Sequence, residues 1–308
     1  MTKYLGYQIS DDQNSSQSAV IIDKMEPLGI PSLGYDYLRL LPHQNRKREF
    51  SLIISFLLRV IKSEPIPELH GKNKILQFIN YGDTELVYVL SFDNKKFAIL
   101  ISQPHTEFGV VKKEYDNLIE LKKRFPENII APIYYSKDDE AQKELYIAPY
   151  VYQARCVGVC EHNWGEWVPE PDYYFRDYPE NERAIINSCM IGLLIKFYDS
   201  NTNHGIGACK IGGGDFMLEK GYEKEEINQE NILKRMKLIG AREFISLSLD
   251  DYIERIKIEF AKRTYYTNEG NRDKSILINY KSRAPMLESD IQKGIELGLS
   301  LRKLQDQL

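Results

Sequence analysis

Residues 197–216 contain the side chains whose types and spacing are best suited to chemistry. Asp199 begins a polar turn that includes Asn203 and His204, and Asp215 follows a run of three glycines. In phosphoryl transfer, one aspartate orients the attacking hydroxyl, while a nearby asparagine and a second aspartate hold magnesium. The segment therefore predicts Asp199 as a catalytic residue and Asn203 and Asp215 as metal ligands. A solvated surface turn followed by a glycine-rich hairpin tip is the alternative interpretation.

Composition places the chain among ordinary globular proteins. It has 308 residues, of which 43% are hydrophobic and 28% are charged, and its net charge is −4. The chain has no excess of positive charge, which would be expected of a protein that binds nucleic acid or an anionic membrane. The first residues lack the pattern of a secretory signal, so we expect a cytoplasmic protein. Its four cysteines predict no disulfide framework.

Periodicity in the first half predicts a sheet with one inserted helix. Residues 1–74 read as an extension with a short strand and an amphipathic helix, which precedes a sheet-rich region at 75–151. The dipeptides Gly82-Asp83 and Asp93-Asn94 indicate tight turns between strands. The predicted strands are Ala19–Ile22, Ile75–Tyr81, Glu85–Phe92, Lys96–Ser102, Ile129–Tyr135 and Leu145–Val151, and the predicted helices are Arg46–Lys62 and Val110–Phe125.

The second half, residues 152–308, predicts a mostly helical region. It begins with a loop-like stretch that is typical of a hinge between lobes. Three- and four-residue spacing of apolar side chains then indicates helices. These are expected at Glu182–Tyr198, Lys224–Gly240, Leu249–Lys262 and Asp290–Leu304. The predicted fold class is α+β, with two lobes, one formed by an antiparallel sheet with one helix and the other mostly helical.

The order of these elements and one local motif resemble the protein-kinase-like superfamily, in particular its aminoglycoside phosphotransferase and choline-kinase branch. The motif runs from Glu114-Tyr115-Asp116-Asn117-Leu118 to Phe125-Pro126 and Ala131-Pro132. The resemblance implies that Glu114 positions a basic group that grips nucleotide phosphates. It also implies ATP and magnesium as cofactors, and adenine bound near Tyr146, Ala148 and Tyr150.

One feature of the branch is missing from this chain. The third strand should carry the phosphate-gripping lysine near Leu100–Ser102, and no lysine is present there. A neighbouring lysine could substitute for it, although lysine side chains usually face solvent. The candidates for such a substitution are Lys95, Lys96, Lys112 and Lys113.

The candidate catalytic segment can be aligned in two registers. One starts from Asp199 and retains Asn203 and Asp215 in their metal-binding roles. The other starts from His204-Gly205, which matches the beginning of the His-Gly-Asp sequence of the phosphotransferases, and it places Ile206 where the aspartate belongs. The first register favours an active enzyme and is preferred, whereas the second describes an inactive one.

Two functions from different classes therefore stay open. The first is an ATP-dependent phosphotransferase that acts on a hydroxyl of a small molecule or a protein. The second is a pseudokinase-like binding or scaffold protein, whose partner would be a nucleotide or another protein. A third interpretation, in which zinc is bound by Cys156, Cys160 and His162 with His204 or Cys209, is disfavoured because the cysteine spacing is wide.

Overall fold

The structure is a computed structural model with two compact units. One unit contains Met1–Tyr115 and Ala131–Tyr150, and the other contains Asp116–Ile130 and Val151–Leu308. We call them unit 1 and unit 2. The predicted domain limits at residues 74 and 151 remain predictions. The structure describes residues 6–9, 19–22, 43–72, 74–81, 84–150, 180–207, 215–219, 226–261, 264–267, 282–285 and 287–305.

Seven strands of the described chain form one antiparallel sheet in unit 1. They are β1 (Gly6–Ile9), β2 (Ala19–Ile22), β3 (Lys74–Tyr81), β4 (Glu85–Phe92), β5 (Lys95–Ser102), β6 (Tyr134–Asp138) and β7 (Lys143–Pro149). Their order across the sheet is β2-β1-β3-β4-β5-β7-β6. The predicted α+β class with an antiparallel sheet is thus confirmed.

The turn between β4 and β5 has the conformation that its two residues favour. Asp93 has φ 45° and Asn94 has φ 62°, and these two residue types tolerate the left-handed region better than most others. Such a turn matches the twist of the flanking strands and fixes their register. Phe92 therefore pairs with Lys95, and the register continues without a shift to the pair Glu85 and Ser102.

Helix α1 (His43–Ser63) supplies much of the core of unit 1. Its apolar residues recur every three or four positions and form one stripe, which packs against the sheet. The buried members of the stripe are Ile53, Phe56, Leu57, Val60 and Ile61. Each such burial contributes about 1.5–3 kcal/mol, so the predicted extension supports the sheet.

Unit 2 is built from helices and short strand pairs. Helix α2 (Val110–Arg124) crosses the limit between the two units in the sequence. The other helices are α3 (Glu180–Lys196), α4 (Gln229–Arg235), α5 (Leu249–Ala261) and α6 (Glu288–Gln305). The strands are β8 (His204–Ile206) paired with β11 (Phe244–Ser246), β9 (Phe216–Leu218) paired with β10 (Met236–Leu238), and β12 (Thr264–Thr267) paired with β13 (Ser282–Pro285).

Helices α3 and α6 approach each other closely because α6 has glycine at the contact. A Cβ atom on Gly294 would lie 2.7 Å from Ile191 Cβ, and one on Gly298 would lie 2.6 Å from Ile195 Cβ. Both distances are shorter than van der Waals contact permits. The glycines therefore set the spacing of this helix pair, which forms the centre of unit 2.

Three sequence predictions about elements were wrong. The strand expected at Ile129–Tyr135 begins only at Tyr134, because Ile129 forms an isolated parallel bridge with Leu238 in unit 2. The helix expected at Lys224–Gly240 ends at Arg235, because the next three residues form β10. The sheet has seven strands, two more than the five expected in the region 75–151, because β1 was not predicted and β2 was expected in the extension. No helix in the described part of the chain combines the length and apolar character needed to cross a membrane.

Candidate functional site

The first candidate residue, Asp199, lies in a tight turn between α3 and β8. The turn is closed by two backbone hydrogen bonds, in which the amide of Asp199 donates to His204 and the amide of His204 donates to Asp199. The Asp199 carboxylate accepts a hydrogen bond of 2.9 Å from the amide of Asn201. It also lies 3.1 Å from the guanidinium of Arg124, in the last turn of α2. Asp199 thus holds its own turn together and is paired with a cation.

The surroundings of Asp199 keep its carboxyl group ionised. Partial burial raises its pKa, but hydrogen bonds from the amide of Asn201, from the hydroxyl and amide of Thr202 and the charge of Arg124 outweigh this effect. The resulting pKa lies below the usual value for aspartate. A carboxylate that already accepts several hydrogen bonds is stabilised in its charged form and has less capacity to accept a proton from a substrate.

Asn203 occupies a backbone conformation that few other residues adopt easily. Its φ is 55°, in the left-handed region, where asparagine is enriched. Its carbonyl accepts a hydrogen bond of 3.0 Å from the amide of Leu247. Its side-chain oxygen lies 3.1 Å from the hydroxyl of Tyr198, whose single proton is shared with the carbonyl of Leu247 at 2.7 Å. These contacts give Asn203 a structural role in the turn, whatever else it binds.

Asp215 lies immediately before β9 and is largely buried, with 7% of its surface exposed. Its carbonyl accepts a hydrogen bond of 2.8 Å from the amide of Ile239, so the residue is fixed where β9 and β10 begin to pair. Its carboxylate lies 3.6 Å from the guanidinium of Arg242. Like Asp199, this acid has an arginine of its own unit beside it.

Tyr252 of α5 contacts β8, the strand that follows the Asp199 turn. The Tyr252 hydroxyl donates a hydrogen bond of 2.9 Å to the carbonyl of Ile206, and its ring fills the space that a side chain on Gly205 would need. Ile206 itself is fully buried. In the register that places Ile206 at the aspartate position, an apolar core residue therefore stands there.

Helix α6 also contacts the Asp199 turn, through the side chain of Arg302. The guanidinium of Arg302 donates hydrogen bonds to the carbonyl of Tyr198 and to the hydroxyl of Ser200, and it lies 5.1 Å from the centre of the Tyr198 ring. Arginines from α2 and α6 thus both contact the segment Tyr198–Ser200, and the turn is fixed before any ligand binds.

The other predicted site residues lie in unit 1. Glu114 is buried on α2, and Tyr146 and Ala148 are buried in β7. Tyr146 pairs with Leu100 of β5 and with Tyr135 of β6, so it lies within the sheet. The amide of Tyr150 donates a hydrogen bond of 3.1 Å to the carbonyl of Lys96. Glu114 as a positioning residue and β7 as the adenine contact remain predictions.

Two of the four lysines proposed as substitutes lie against aromatic rings of unit 1. The ammonium of Lys112 is 5.5 Å from the ring of Tyr115 and 5.4 Å from that of Tyr135. The ammonium of Lys95 is 6.0 Å from the Phe92 ring. Such contacts account for both side chains without a phosphate ligand.

The zinc hypothesis falls mainly outside the described residues. Cys156, Cys160, His162 and Cys209 all lie there, while His204 is exposed at the start of β8. Within the described ranges, no three histidine, cysteine, aspartate or glutamate side chains are grouped so that they could hold a metal ion. Cys189 is buried in α3, and burial raises the pKa of its thiol to about 12, which makes it unreactive.

Sequence reasoning missed the two arginines that pair with the candidate acids. Arg124 is 75 positions before Asp199 in the sequence, and Arg242 is separated from Asp215 by the whole of α4. The arginine at the end of α2 could have been noticed, since a cation is favourable at a helix C-terminus. Nothing in the sequence could have named its partner.

Comparison with known proteins gives matches to solved structures only. No family model and no curated protein matches this sequence. The BubR1 kinase domain matches with 13% identity and a TM-score of 0.41, over 83% of this chain and 93% of that one. Vaccinia related kinase 3 matches with 9% identity and a TM-score of 0.32, over 56% of this chain and 49% of that one.

A third match is also low in sequence identity and in TM-score. A proposed aminoglycoside phosphotransferase of Ralstonia eutropha JMP134 is 13% identical, with a TM-score of 0.31, over 46% of this chain and 38% of that one. These proteins are kinases and a phosphotransferase, the classes that the sequence resembles. All three TM-scores are below 0.5 and all three identities are below 25%, so these matches add no argument to the resemblance drawn from the order of strands and helices.

Proposed function

We propose that this chain is a kinase-like binding or scaffold protein that does not transfer phosphoryl groups. The observation that carries the proposal is the pairing of each candidate acid with an arginine. Asp199 lies 3.1 Å from Arg124, and Asp215 lies 3.6 Å from Arg242. In both pairs the cation comes from the same unit as the acid.

Arginine competes effectively with a magnesium ion or a substrate hydroxyl for contact with these carboxylates. Its guanidinium is always charged, and a guanidinium nitrogen of Arg124 lies 3.1 Å from the carboxylate of Asp199, while one of Arg242 lies 3.6 Å from that of Asp215. A magnesium ion requires an almost ideal set of oxygen ligands and gives up its water reluctantly. Asp215 beside Arg242 and Asn203 bonded to Tyr198 fit such an ion poorly. We therefore assign no chemical step to magnesium or ATP in this protein.

The sequence of β5 supports the same conclusion. Leu100–Ser102, where the resemblance would place the lysine that grips the phosphates, contains none. Loss of one group that acts in phosphoryl transfer typically lowers the rate by orders of magnitude. A chain that lacks this lysine and whose two acids have arginine partners is better suited to binding than to catalysis.

An ATP-dependent phosphotransferase is the second candidate, and one observation favours it. Asp199 has a lowered pKa and stays ionised at neutral pH, as a residue that orients a hydroxyl must. In this version Asp199 would orient the acceptor, Asn203 and Asp215 would hold magnesium, and Glu114 would position a basic group. ATP would supply the phosphoryl group.

Phosphate release from ATP distinguishes the two candidates. Purified protein is incubated with ATP and magnesium beside the variants Asp199→Asn and Asp215→Asn, and inorganic phosphate is measured. The proposal predicts that the three proteins release phosphate at the same background rate. Release by the unaltered protein that falls by about a hundredfold or more in both variants would replace the proposal with the phosphotransferase.

A further inference from the structure

We propose that an open cleft within unit 1 binds a small zwitterion, namely an apolar dipeptide or amino acid with a free ammonium and a free carboxylate. The cleft has a volume of about 530 Å³, within the usual range for small-molecule sites. Three segments line it: the first turns of α1, the loop that follows β5, and the turn between β6 and β7. The inference is independent of the question of phosphoryl transfer.

A buried lysine forms the polar floor of the cleft. The side chain of Lys143 is only 4% exposed, and its ammonium lies 3.2 Å from a carboxylate oxygen of Glu49. An ammonium has three hydrogen-bond donors, and the contacts of the described residues give it this one carboxylate partner. Removing two charges from water is costly unless further hydrogen bonds satisfy them. A ligand carboxylate that reaches the floor would supply the missing acceptor.

The mouth of the cleft carries two exposed side chains of opposite charge. Arg48 comes from α1 and Glu140 from the β6–β7 turn. Arg48 adds a second positive group for a ligand carboxylate, while Glu140 can accept a hydrogen bond from a ligand ammonium. The two charges therefore favour a ligand that carries both signs.

Asp138 also lines the cleft, but its carboxylate already contacts other groups of the chain. Its carboxylate accepts hydrogen bonds from the amides of Ala141 and Glu140 and pairs with Arg59 at 2.5 Å. The hydrogen bond from Ala141, followed by the contact with Arg59, holds the pKa of Asp138 below its usual value. Asp138 thus keeps the turn in shape and leaves Glu140 as the acid available to a ligand.

Charge balance and the apolar wall narrow the choice of ligand. The lining has two cationic side chains, Arg48 and Lys143, and three acids, Glu49, Asp138 and Glu140. Because Arg59 pairs with Asp138, the positive and negative groups balance, which favours a ligand with no net charge. The lining also includes the half-buried apolar side chains of Leu52, Pro104 and Phe108. A dipeptide with apolar side chains places its termini against the charges and its middle against this wall.

Calorimetry with three matched ligands tests the proposal on the full chain. L-leucyl-L-leucine is compared with its N-acetyl form, which lacks the ammonium, and with its C-terminal amide, which lacks the carboxylate. We expect the free dipeptide to bind and each blocked form to bind at least about tenfold more weakly, because each loses a charge-assisted hydrogen bond. No binding of the free dipeptide at millimolar concentration, or equal binding of all three ligands, overturns the proposal.

Substitutions at the mouth locate the binding without disturbing the fold. Arg48→Gln should weaken binding of the free dipeptide and have little effect on the amide, while Glu140→Gln should weaken the free dipeptide and spare the N-acetyl form. Lys62→Gln on α1 and Asp139→Asn in the same turn are matched controls, and neither lines the cleft. Binding that is unchanged in both mouth variants, or reduced equally in the controls, would show that the dipeptide binds elsewhere.

Discussion

The guanidinium of Arg124 lies 3.1 Å from the carboxylate of Asp199. Arg124 occupies the last turn of α2, where a cation is favoured by the helix dipole, and Asp199 begins the turn that connects α3 to β8. Both residues belong to unit 2. The pair therefore links the end of α2 to the turn that follows α3, through the residue that the sequence predicts as the catalytic acid.

Replacing Arg124 by glutamine should lower the free energy of unfolding by about 1 kcal/mol. The two side chains are 29% and 15% exposed, and partly exposed ion pairs contribute at most about this much. Denaturant unfolding measures the effect, with Lys123→Gln, at the exposed neighbouring position, as the control. Because Arg124 also lies 5.1 Å from the Phe125 ring, a double-mutant cycle with Asp199→Asn is needed to isolate the ion pair. A coupling energy of zero would mean that the pair has no energetic role.

Acid should remove the contribution that Asp199 makes to stability. Its pKa is lower in the folded protein than the usual aspartate value of about 3.9. Such a group stabilises the fold at any pH above its unfolded pKa, and this contribution is lost as the pH falls through the folded pKa. The difference in unfolding free energy between the unaltered protein and Asp199→Asn should therefore be constant near neutral pH and shrink in acid. A difference that grows in acid would refute this assignment.

Gly298→Ala should destabilise unit 2 by about 1–3 kcal/mol, the usual cost of overpacking. The new methyl group would lie 2.6 Å from Ile195 Cβ and 2.9 Å from the carbonyl oxygen of Gly192, so α3 and α6 would have to separate. Alanine normally favours a helix by up to about 1 kcal/mol relative to glycine, which makes a loss informative. Ser300→Ala, at an exposed position of the same helix, is the control for denaturant unfolding. Equal stability of Gly298→Ala and the original protein would show that the helix contact is looser than described.

Local sequence patterns predicted most of the elements. The strand at Glu85–Phe92 and the strand at Ala19–Ile22 were predicted with the observed bounds, because alternation and turn residues are local properties. Helix α5 was predicted to within one residue. By contrast, β10 was predicted to be the end of a helix, because the three residues Met-Lys-Leu at the end of a helical pattern do not reveal that they pair with β9.

The candidate site was less predictable than the fold. The acids could be named from their types and spacing, but their partners come from distant positions, as with Arg124 and Asp199. The same holds for Tyr252, whose hydroxyl reaches Ile206 from α5. These contacts depend on how helices pack, which a single sequence does not specify.

The thermal midpoint with ATP, measured with and without magnesium, tests the central claim most directly. A ligand that binds only the folded state must raise the midpoint, and the shift is compared between the unaltered protein and Asp215→Ala, each relative to its own ligand-free state. Because Asp215 already faces Arg242, we predict that magnesium adds no rise to that produced by ATP alone in either protein. A magnesium-dependent rise in the unaltered protein that disappears in Asp215→Ala would contradict the account and identify a working metal–nucleotide site.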